Sequence, residues 1–453
     1  MFKVSEILKA TGGRLLSGSA DAIVKDISID SRVVKPGDAF IAIKGNRFDG
    51  HKFVEAAVSK GASCIICAPQ IIDYRLQDIA VIQAQDTTQA LGDIARFNRE
   101  RFNIPVITIT GSNGKTTTKE MIAHVLAKKF KVLKNIGTEN NHIGLPMTLL
   151  NLNDYYDFAV LEAGTNHPGE IEYLARIAQP NIAAITNIGQ SHLKYLKDTE
   201  SVFYEKTSLL RYLREPAVAL LNADDRWLSI ALNQENKGFK AFGFGVNNNA
   251  DIKVSDMRFF EGCMWFIVNS KYKFKLNTIG AHNIYNALIA IFIARVFGME
   301  YKDIALQLSS FEFPKSRLKL LELEKIKFID DTYNSNPLSL RHALDVLAHM
   351  EVRGRKIFVM GDMLELGADE EFFHRQAGEN AAKSCDYLIT VGRLSQLAAQ
   401  VARDGGFNND KVFNCKDIHE AREVLLSKII PQAEDIVLVK GSRSMRMEEI
   451  FKA

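Results

Sequence analysis

The chain has 453 residues, 47% of them apolar and 25% charged, with a net charge of +3. That length predicts two or three domains, because one hydrophobic core rarely serves so many residues. The charge balance argues against a nucleic-acid partner or an acidic membrane surface. Five cysteines (Cys64, Cys67, Cys263, Cys385 and Cys415) are too few, and odd in number, for a disulfide framework, which points to a reducing compartment.

The N-terminal MFKVSEILKATGG predicts a short amphipathic helix closed by glycines and lacks the basic start and cleavage site of a signal peptide. No apolar run approaches the roughly 18–20 residues that span a bilayer, so the expectation is a cytoplasmic protein without membrane insertion. Up to about Gln83, short strands (AIVKDISI, DAFIAI, CIICA, IAVIQ) surround a helix near Phe53–Lys60. Cys64 and Cys67 form a C-x-x-C inside an apolar run with no second pair in metal spacing, which favours a buried strand over a zinc site. A helix is expected over Thr87–Arg101, with Thr87 and Thr88 as caps. The apolar strand Pro105–Ile109 then runs into a glycine-containing loop and a helix over Lys115–Lys129. The grammar of strand, polar loop and helix repeats at Phe158–Leu161, Ile182–Thr186 and Ala217–Leu221, which indicates a parallel sheet covered on both faces. Ile252–Val254, Trp265–Val268 and Lys273–Leu276 look antiparallel, and a long helix follows over His282–Phe297. FEFPKSRLKLLEL, from Phe311, is a candidate domain junction. Beyond it strands at Lys327–Ile329, Lys356–Met360, Tyr387–Val391 and Ile436–Val439 alternate with helices, predicting a doubly wound domain with a ligand crevice at its strand ends. The fold class is therefore α/β.

The strongest chemical signal is ITGSNGKTTTKE, Ile109–Glu120, between a strand and a helix. Gly111 and Gly114 permit close backbone approach, while Ser112, Asn113 and the following amides face an anion at the helix N-terminus. Lys115 reaches β and γ phosphates, Thr116 offers a hydroxyl to Mg²⁺, and Thr117 continues the turn. The G-x-x-G-K-T spacing is shorter than the usual G-x-x-x-x-G-K-[ST]; the competing reading is a ligand-free strand–helix turn.

Glu162 closes the strand FAVLE at the same sheet edge, where it suits Mg²⁺ or is simply a solvated strand-end carboxylate. His192, in ITNIGQSHL, reads equally as a structural histidine or as a group beside a phosphate-bound metal. Lys206, in FYEKTSLL, reads as an ordinary helix-face lysine. Asn283 and Asn286 open the helix GAHNIYNALIA; Asn283 is a candidate cap, and side-chain amides also suit an adenine edge. Arg317 lies in the junction, within reach of a phosphate. DDTYNSNPLSL concentrates Asp330, Asp331, Tyr333, Asn334 and Asn336 in one strand-end loop, the default binding site of such a domain.

TGSNGKTTTKE, LEAG, ITNIGQSHL, EKTSLL, GAHNIYNALIA, SRL and DDTYNSNP occur in that order over essentially the whole chain, which resembles the Mur ligases of peptidoglycan synthesis. The resemblance implies ATP-dependent amide ligation in three domains: a UDP-muramoyl-binding α/β domain (1–84), a central P-loop-type, mostly parallel ATP-binding domain (85–313) and a C-terminal Rossmann-like domain (314–453). Three stretches look like the D-alanyl-D-alanine-adding branch: Ile29–Ala57, NNHIGLPMTLL at Asn140–Leu150 and VMGDMLELGADEEFFH at Val359–His374. The D-[ND]-P-R-type signature of the diaminopimelate- or lysine-adding branch is absent.

The implied substrates are UDP-N-acetylmuramoyl-tripeptide and D-alanyl-D-alanine, joined through an acyl phosphate in the bacterial cytoplasm by a monomer. The alternatives are a Mur-type ligase adding a single amino acid and a non-enzymatic nucleotide-binding module. Implied roles are Lys115 and the loop amides on phosphates, Thr116 and Glu162 on Mg²⁺, and His192 on a second Mg²⁺. Lys206 matches the family's carbamylated lysine, although E-K-T-S stands where A-K-x-E is usual. Asn283 and Asn286 would meet adenine or ribose, and Arg317 and Asp331 would join the nucleotide from the third domain. Ser31 and Arg32 fall at the UDP end, Asn140 and Asn141 at the muramoyl-peptide end, and Tyr333, Asn334 and Asn336 on the side of the incoming dipeptide. A pivot is expected near Pro314–Leu318, so that the third domain closes and excludes water.

Overall fold

Alternation of apolar runs with helices produces three stacked α/β units in the structure, a computed structural model that describes residues 1–45, 48–69, 79–234 and 238–452. Asn46 and Arg47, inside the stretch Ile29–Ala57, lie outside the described residues.

The first sheet has five strands, in the order Arg14–Ser17, Ala80–Gln83, Cys64–Cys67, Ala39–Ile41 and Ile27–Ser28, all parallel except for the first pair. Cys64 and Cys67 are buried in a strand there, and burial pushes the Cys64 thiol up to about 12. The helix Thr87–Glu100 follows. Its cap is Asp86, not Thr87 or Thr88: the extended backbone at Asp86 lets its carboxylate take the Thr88 and Gln89 amides at 2.7 and 3.0 Å.

The central sheet has nine strands. From one edge they run Val132–Lys134, Phe158–Glu162, Val106–Thr110, Ile182–Ile185, Val218–Asn222, Lys240–Gly245, Ile252–Phe260, Cys263–Val268 and Tyr272–Leu276. The last two pairings are antiparallel, as expected, but Ile252 also pairs in parallel with Phe244, so this strand joins the two halves into one sheet. Successive side chains point to opposite faces. Val106, Ala159 and Leu161 therefore join the core under Thr87–Glu100 and Glu170–Ala178. Ile107, Ile109, Phe158 and Val160 join the core beneath Lys115–Leu126 and Asn283–Val296. Both faces are covered, which is why these strands are apolar at almost every position.

The third sheet runs Lys319–Leu323, Ile326–Asp331, Ile436–Lys440, Lys356–Gly361, Tyr387–Val391 and Val412–Cys415, parallel except for the first pair. The junction is therefore partly an edge strand, because Lys319–Leu323 turns back onto Ile326–Asp331. Just before it, Ser316 and Leu318 hold left-handed backbone at φ 60° and 50°. Among the described residues no helix is long and apolar enough to cross a membrane.

Candidate active site

Strand Val106–Thr110 lies between Phe158–Glu162 and Ile182–Ile185, with the chain leaving it first to one side and later to the other. A crevice at the carboxyl ends of such strands is where an open α/β sheet binds ligands. The glycine loop, Glu162 and the segment leading to His192 all emerge there. The third domain faces them across a cavity of ≈ 1050 Å³.

The loop is shaped by contacts that leave no room for side chains at its glycines. Gly111 has φ 146° and Gly114 φ 85°; a Cβ on the first would strike the Thr186 hydroxyl, and one on the second would meet Asn286 Oδ1 at 2.5 Å. The amides of Ser112 and Asn113 are taken by the Asn187 carbonyl and side-chain oxygens, both at 2.9 Å. Those two residues therefore set the loop's shape, and the first helical turn, Lys115–Thr117, carries the amides that lack an intrahelical partner. Lys115 Nζ folds back onto the carbonyls of Gly111 (2.8 Å) and Ser112 (3.3 Å). Burial pulls the pKa of this ammonium down, Glu162 opposes that, and Arg317 adds to it.

Glu162 is 1% exposed. Its Oε1 accepts 2.6 Å from Asn140 Nδ2, while its buried Oε2 has no hydrogen-bond partner among the described residues. A buried carboxylate oxygen without a donor is costly unless a cation completes it. Asn135 braces the strand end: it accepts the Glu162 amide at 2.9 Å and donates to the Glu162 carbonyl at 3.1 Å. The buried Lys119 in turn donates 2.6 Å to the Asn135 carbonyl.

Lys206 is not the exposed helix-face lysine expected from its helix. It is 1% exposed on Thr199–Thr207, and among the described residues no carboxylate pairs with it. Its neighbour Glu205 is committed to the amides of Gly169 and Ile171. Burial first, and the Lys115 cation second, pull the Lys206 pKa well below its ordinary value. His192 stands at φ 56°, lines the same cavity, and makes a 2.8 Å contact through Nδ1 with Glu365 of the third domain.

Asn283 is not a cap: it lies inside its helix and donates 3.0 Å to Thr278 Oγ1. Asn286 donates 3.0 Å to Asn283 Oδ1 and accepts 3.0 Å from Thr118 Oγ1, so the two amides form a rigid, internally bonded corner of the cavity. Arg317 donates 3.2 Å to Thr116 Oγ1, with its guanidinium 4.0 Å over the Tyr333 ring. Asp331 accepts 2.6 Å from the buried Lys440, which also donates 2.9 Å to the Asn334 carbonyl. Asn336 caps the helix Pro337–His349 through Ser339 and exchanges amide hydrogen bonds with Asn113 of the glycine loop, at 2.9 and 3.3 Å. Asn141 takes the amides of Ile143 and Gly144, while the Asn140 carbonyl takes that of Gly164.

The fold brings all of the expected site residues to one cavity except four. Gly111 and Lys206 do not line it, and Ser31 and Arg32 belong to the first domain, where the exposed Arg32 forks onto Asp30 at 2.7–3.1 Å. Sequence reasoning passed over Glu365, Lys440, and the stacked rings of His282 and His342, 5.2 Å apart across the two domains. Glu365 did lie in a noticed stretch, GDMLELG; the histidines are separated by 60 positions and share no motif.

The chain matches three family models: the Mur ligase family catalytic domain at residues 23–99, the Mur ligase middle domain at 109–294 and the Mur ligase glutamate ligase domain at 316–443. It is 35% identical over 436 residues to the UDP-N-acetylmuramoyl-tripeptide--D-alanyl-D-alanine ligase of Bacillus subtilis, covering 95% of this chain and 93% of the relative. The chain belongs to the Mur ligase family. The Escherichia coli ligase with the same description is 33% identical, covering 96% and 94%. Among solved structures, MurF from Acinetobacter baumannii aligns with a TM-score of 0.89 at 32% identity, covering 99% and 97% of the two chains. MurF from Thermotoga maritima in complex with ADP aligns at 0.83 and 28% identity, covering 95% and 97%. A UDP-N-acetylmuramoyl-L-alanyl-D-glutamate--2,6-diaminopimelate ligase shares the fold, with a TM-score of 0.58 at 20% identity, covering 96% and 93%.

Proposed function

We infer that this chain is an ATP-dependent ligase that joins D-alanyl-D-alanine to UDP-N-acetylmuramoyl-tripeptide, a step of peptidoglycan synthesis. The observation that carries the reading is the crevice itself. A phosphate loop, a buried carboxylate and a second domain's basic and amide groups close on one cavity, in a chain that matches D-alanyl-D-alanine ligases over almost its whole length. Residues 1–84 would hold the UDP-muramoyl end with Ser31 and Arg32. Residues 85–313 would hold ATP, and 314–453 would present the dipeptide beside Tyr333, Asn334 and Asn336. The protein would act as a monomer in the bacterial cytoplasm.

In this scheme Lys115 leaves its loop carbonyls to neutralise the γ phosphate, and the first-turn amides of Lys115–Thr117 bind the phosphate oxygens. The tripeptide carboxylate attacks that phosphate, giving an acyl phosphate and ADP. The dipeptide amine then attacks the acyl carbon and phosphate leaves. Arg317 moves from the Thr116 hydroxyl to the nucleotide, while Asn283, Asn286 and Asp331 border it. The residues present fit Mg²⁺: among the described residues Glu162 Oε2 has no hydrogen-bond partner, and Thr116 and His192 line the same cavity. Mg²⁺ is commonly held by one or two carboxylates together with phosphates and water, and when bound it would stabilise charge on the transferring group.

Lys206 would be carbamylated: burial and the absence of an acidic partner favour the neutral amine that adds CO₂, and the product would be an anion facing Lys115. Left-handed backbone at Ser316 and Leu318 supports a pivot in the junction.

Phosphate release with ATP and UDP-muramoyl-tripeptide tests the assignment. D-alanyl-D-alanine should support it, and diaminopimelate, lysine and other single amino acids should not. Lys115→Ala should lower the rate about a hundred- to a thousandfold. Release driven by a single amino acid, or retained by the variant, would overturn it. For Lys206, a carbamate resonance after ¹³C-bicarbonate labelling should disappear in Lys206→Arg.

A further inference from the structure

Two loops from different domains meet at the mouth of the cavity, and both are held in unusual backbone. His192 has φ 56° and Glu365 has φ 65°, the left-handed region that non-glycine residues enter infrequently. They face each other: His192 Nδ1 lies 2.8 Å from Glu365 Oε2. The backbone repeats the contact, since the Lys194 amide donates 3.0 Å to the Glu365 carbonyl. Gly367, at φ 65°, lies so near that an added Cβ would stand 3.2 Å from the Leu193 carbonyl oxygen.

The chemistry of the pair fixes which nitrogen carries the proton. At 2.8 Å from Nδ1, the Glu365 carboxylate is an acceptor only. Nδ1 must then donate. A neutral ring protonated on Nδ1 keeps its lone pair on Nε2. Among the described residues Nε2 makes no hydrogen bond, and His192 lines the cavity.

We propose that Glu365 is a positioning residue: by docking onto His192 when the third domain closes, it locks the imidazole tautomer and aims the Nε2 lone pair at the cation held with the nucleotide. The cation-binding capacity of the central domain is thereby tied to closure of the dipeptide-binding domain. This rests on the reading of His192 as a cation-facing group. An outer carboxylate orienting a ligating histidine commonly changes affinity by about 10–100-fold when removed.

The test uses the full-length protein with a non-hydrolysable ATP analogue and UDP-muramoyl-tripeptide, titrated with Mn²⁺ and read by electron paramagnetic resonance. Glu365→Ala should weaken the Mn²⁺ sites about tenfold or more, with kcat falling by a similar factor while KM for ATP stays within about threefold. In Glu365→Gln, whose amide oxygen still accepts from Nδ1, affinity should stay close to the native value. His192→Ala separates the two claims. If it leaves Mn²⁺ binding intact, the histidine reading fails. If it weakens binding while Glu365→Ala does not, or if Glu365→Gln falls as far as Glu365→Ala, the positioning role fails.

Discussion

The Asp30–Arg32 turn of the first domain and the Lys115–Glu162–Lys206 corner of the central domain make opposite use of charge. Arg32 forks onto Asp30 at the surface, with 86% of its side chain exposed, and its hydrogen bonds hold the Asp30 carboxyl down at about 2. That pair is complete without a ligand. In the corner, burial pulls down the pKa values of two lysines, and a buried Glu162 carboxylate oxygen has no hydrogen-bond partner among the described residues. Exposed pairs contribute little to stability because water screens them, whereas a buried charge without a counterpart persists only where something else completes it. The contrast teaches that unpaired burial, rather than the number of charges, marks the place where the fold has been left open for chemistry.

The largest expected effect probes the incomplete side of that contrast. Glu162→Gln removes the charge and keeps the shape, so ligation should fall about a hundredfold or more while the melting temperature holds or rises. A variant with native turnover, or one that melts well below the native protein, would make Glu162 a structural group. A smaller effect should arise where the two domains meet. Burial first, and other nearby cations second, lower His282 to about 4 and His342 to about 3. Each base binds fewer protons folded than unfolded between its lowered value and 6.5, so stability rises with pH across that window and falls on acidification from about pH 6.5 towards 4. Chemical denaturation at pH 7, 5.5 and 4.5 should show the loss, and His342→Phe, which keeps a ring against His282, should flatten it. An unchanged slope in that variant would place the acid sensitivity elsewhere. The smallest change belongs to the completed pair. Arg32→Ala should leave the melting temperature where it is and raise KM for the UDP-muramoyl substrate alone; an equal rise in KM for ATP would remove Arg32 from the UDP end.

Much of the site was legible in advance because its residues cluster in short runs that a strand–loop–helix reading delivers to one sheet edge. Lys115, Thr116, Glu162 and His192 all follow apolar strands, so their placement needed only the parallel order of those strands. Lys206 read from its residues as an ordinary helix-face lysine because a single lysine carries no periodicity, and its burial is a property of the tertiary packing. Thr87 and Thr88 looked like caps, but helix capping depends on backbone angles, which favoured Asp86. Strand Lys240–Gly245 went unseen because its KAFGFG run mixes small and aromatic residues without a recognisable pattern.

By itself the sequence determined the α/β class, the strand–glycine-loop–helix unit around Gly111 and Gly114, and the family, since each depends on residues adjacent along the chain. Only the tertiary structure decided that Ser112 and Asn113 spend their amides on Asn187, that Asn113 is bonded to Asn336, and that His192 is met by Glu365. Those contacts join residues up to 223 positions apart. Their geometry follows from how two separately folded domains rest against each other, and no local propensity encodes that.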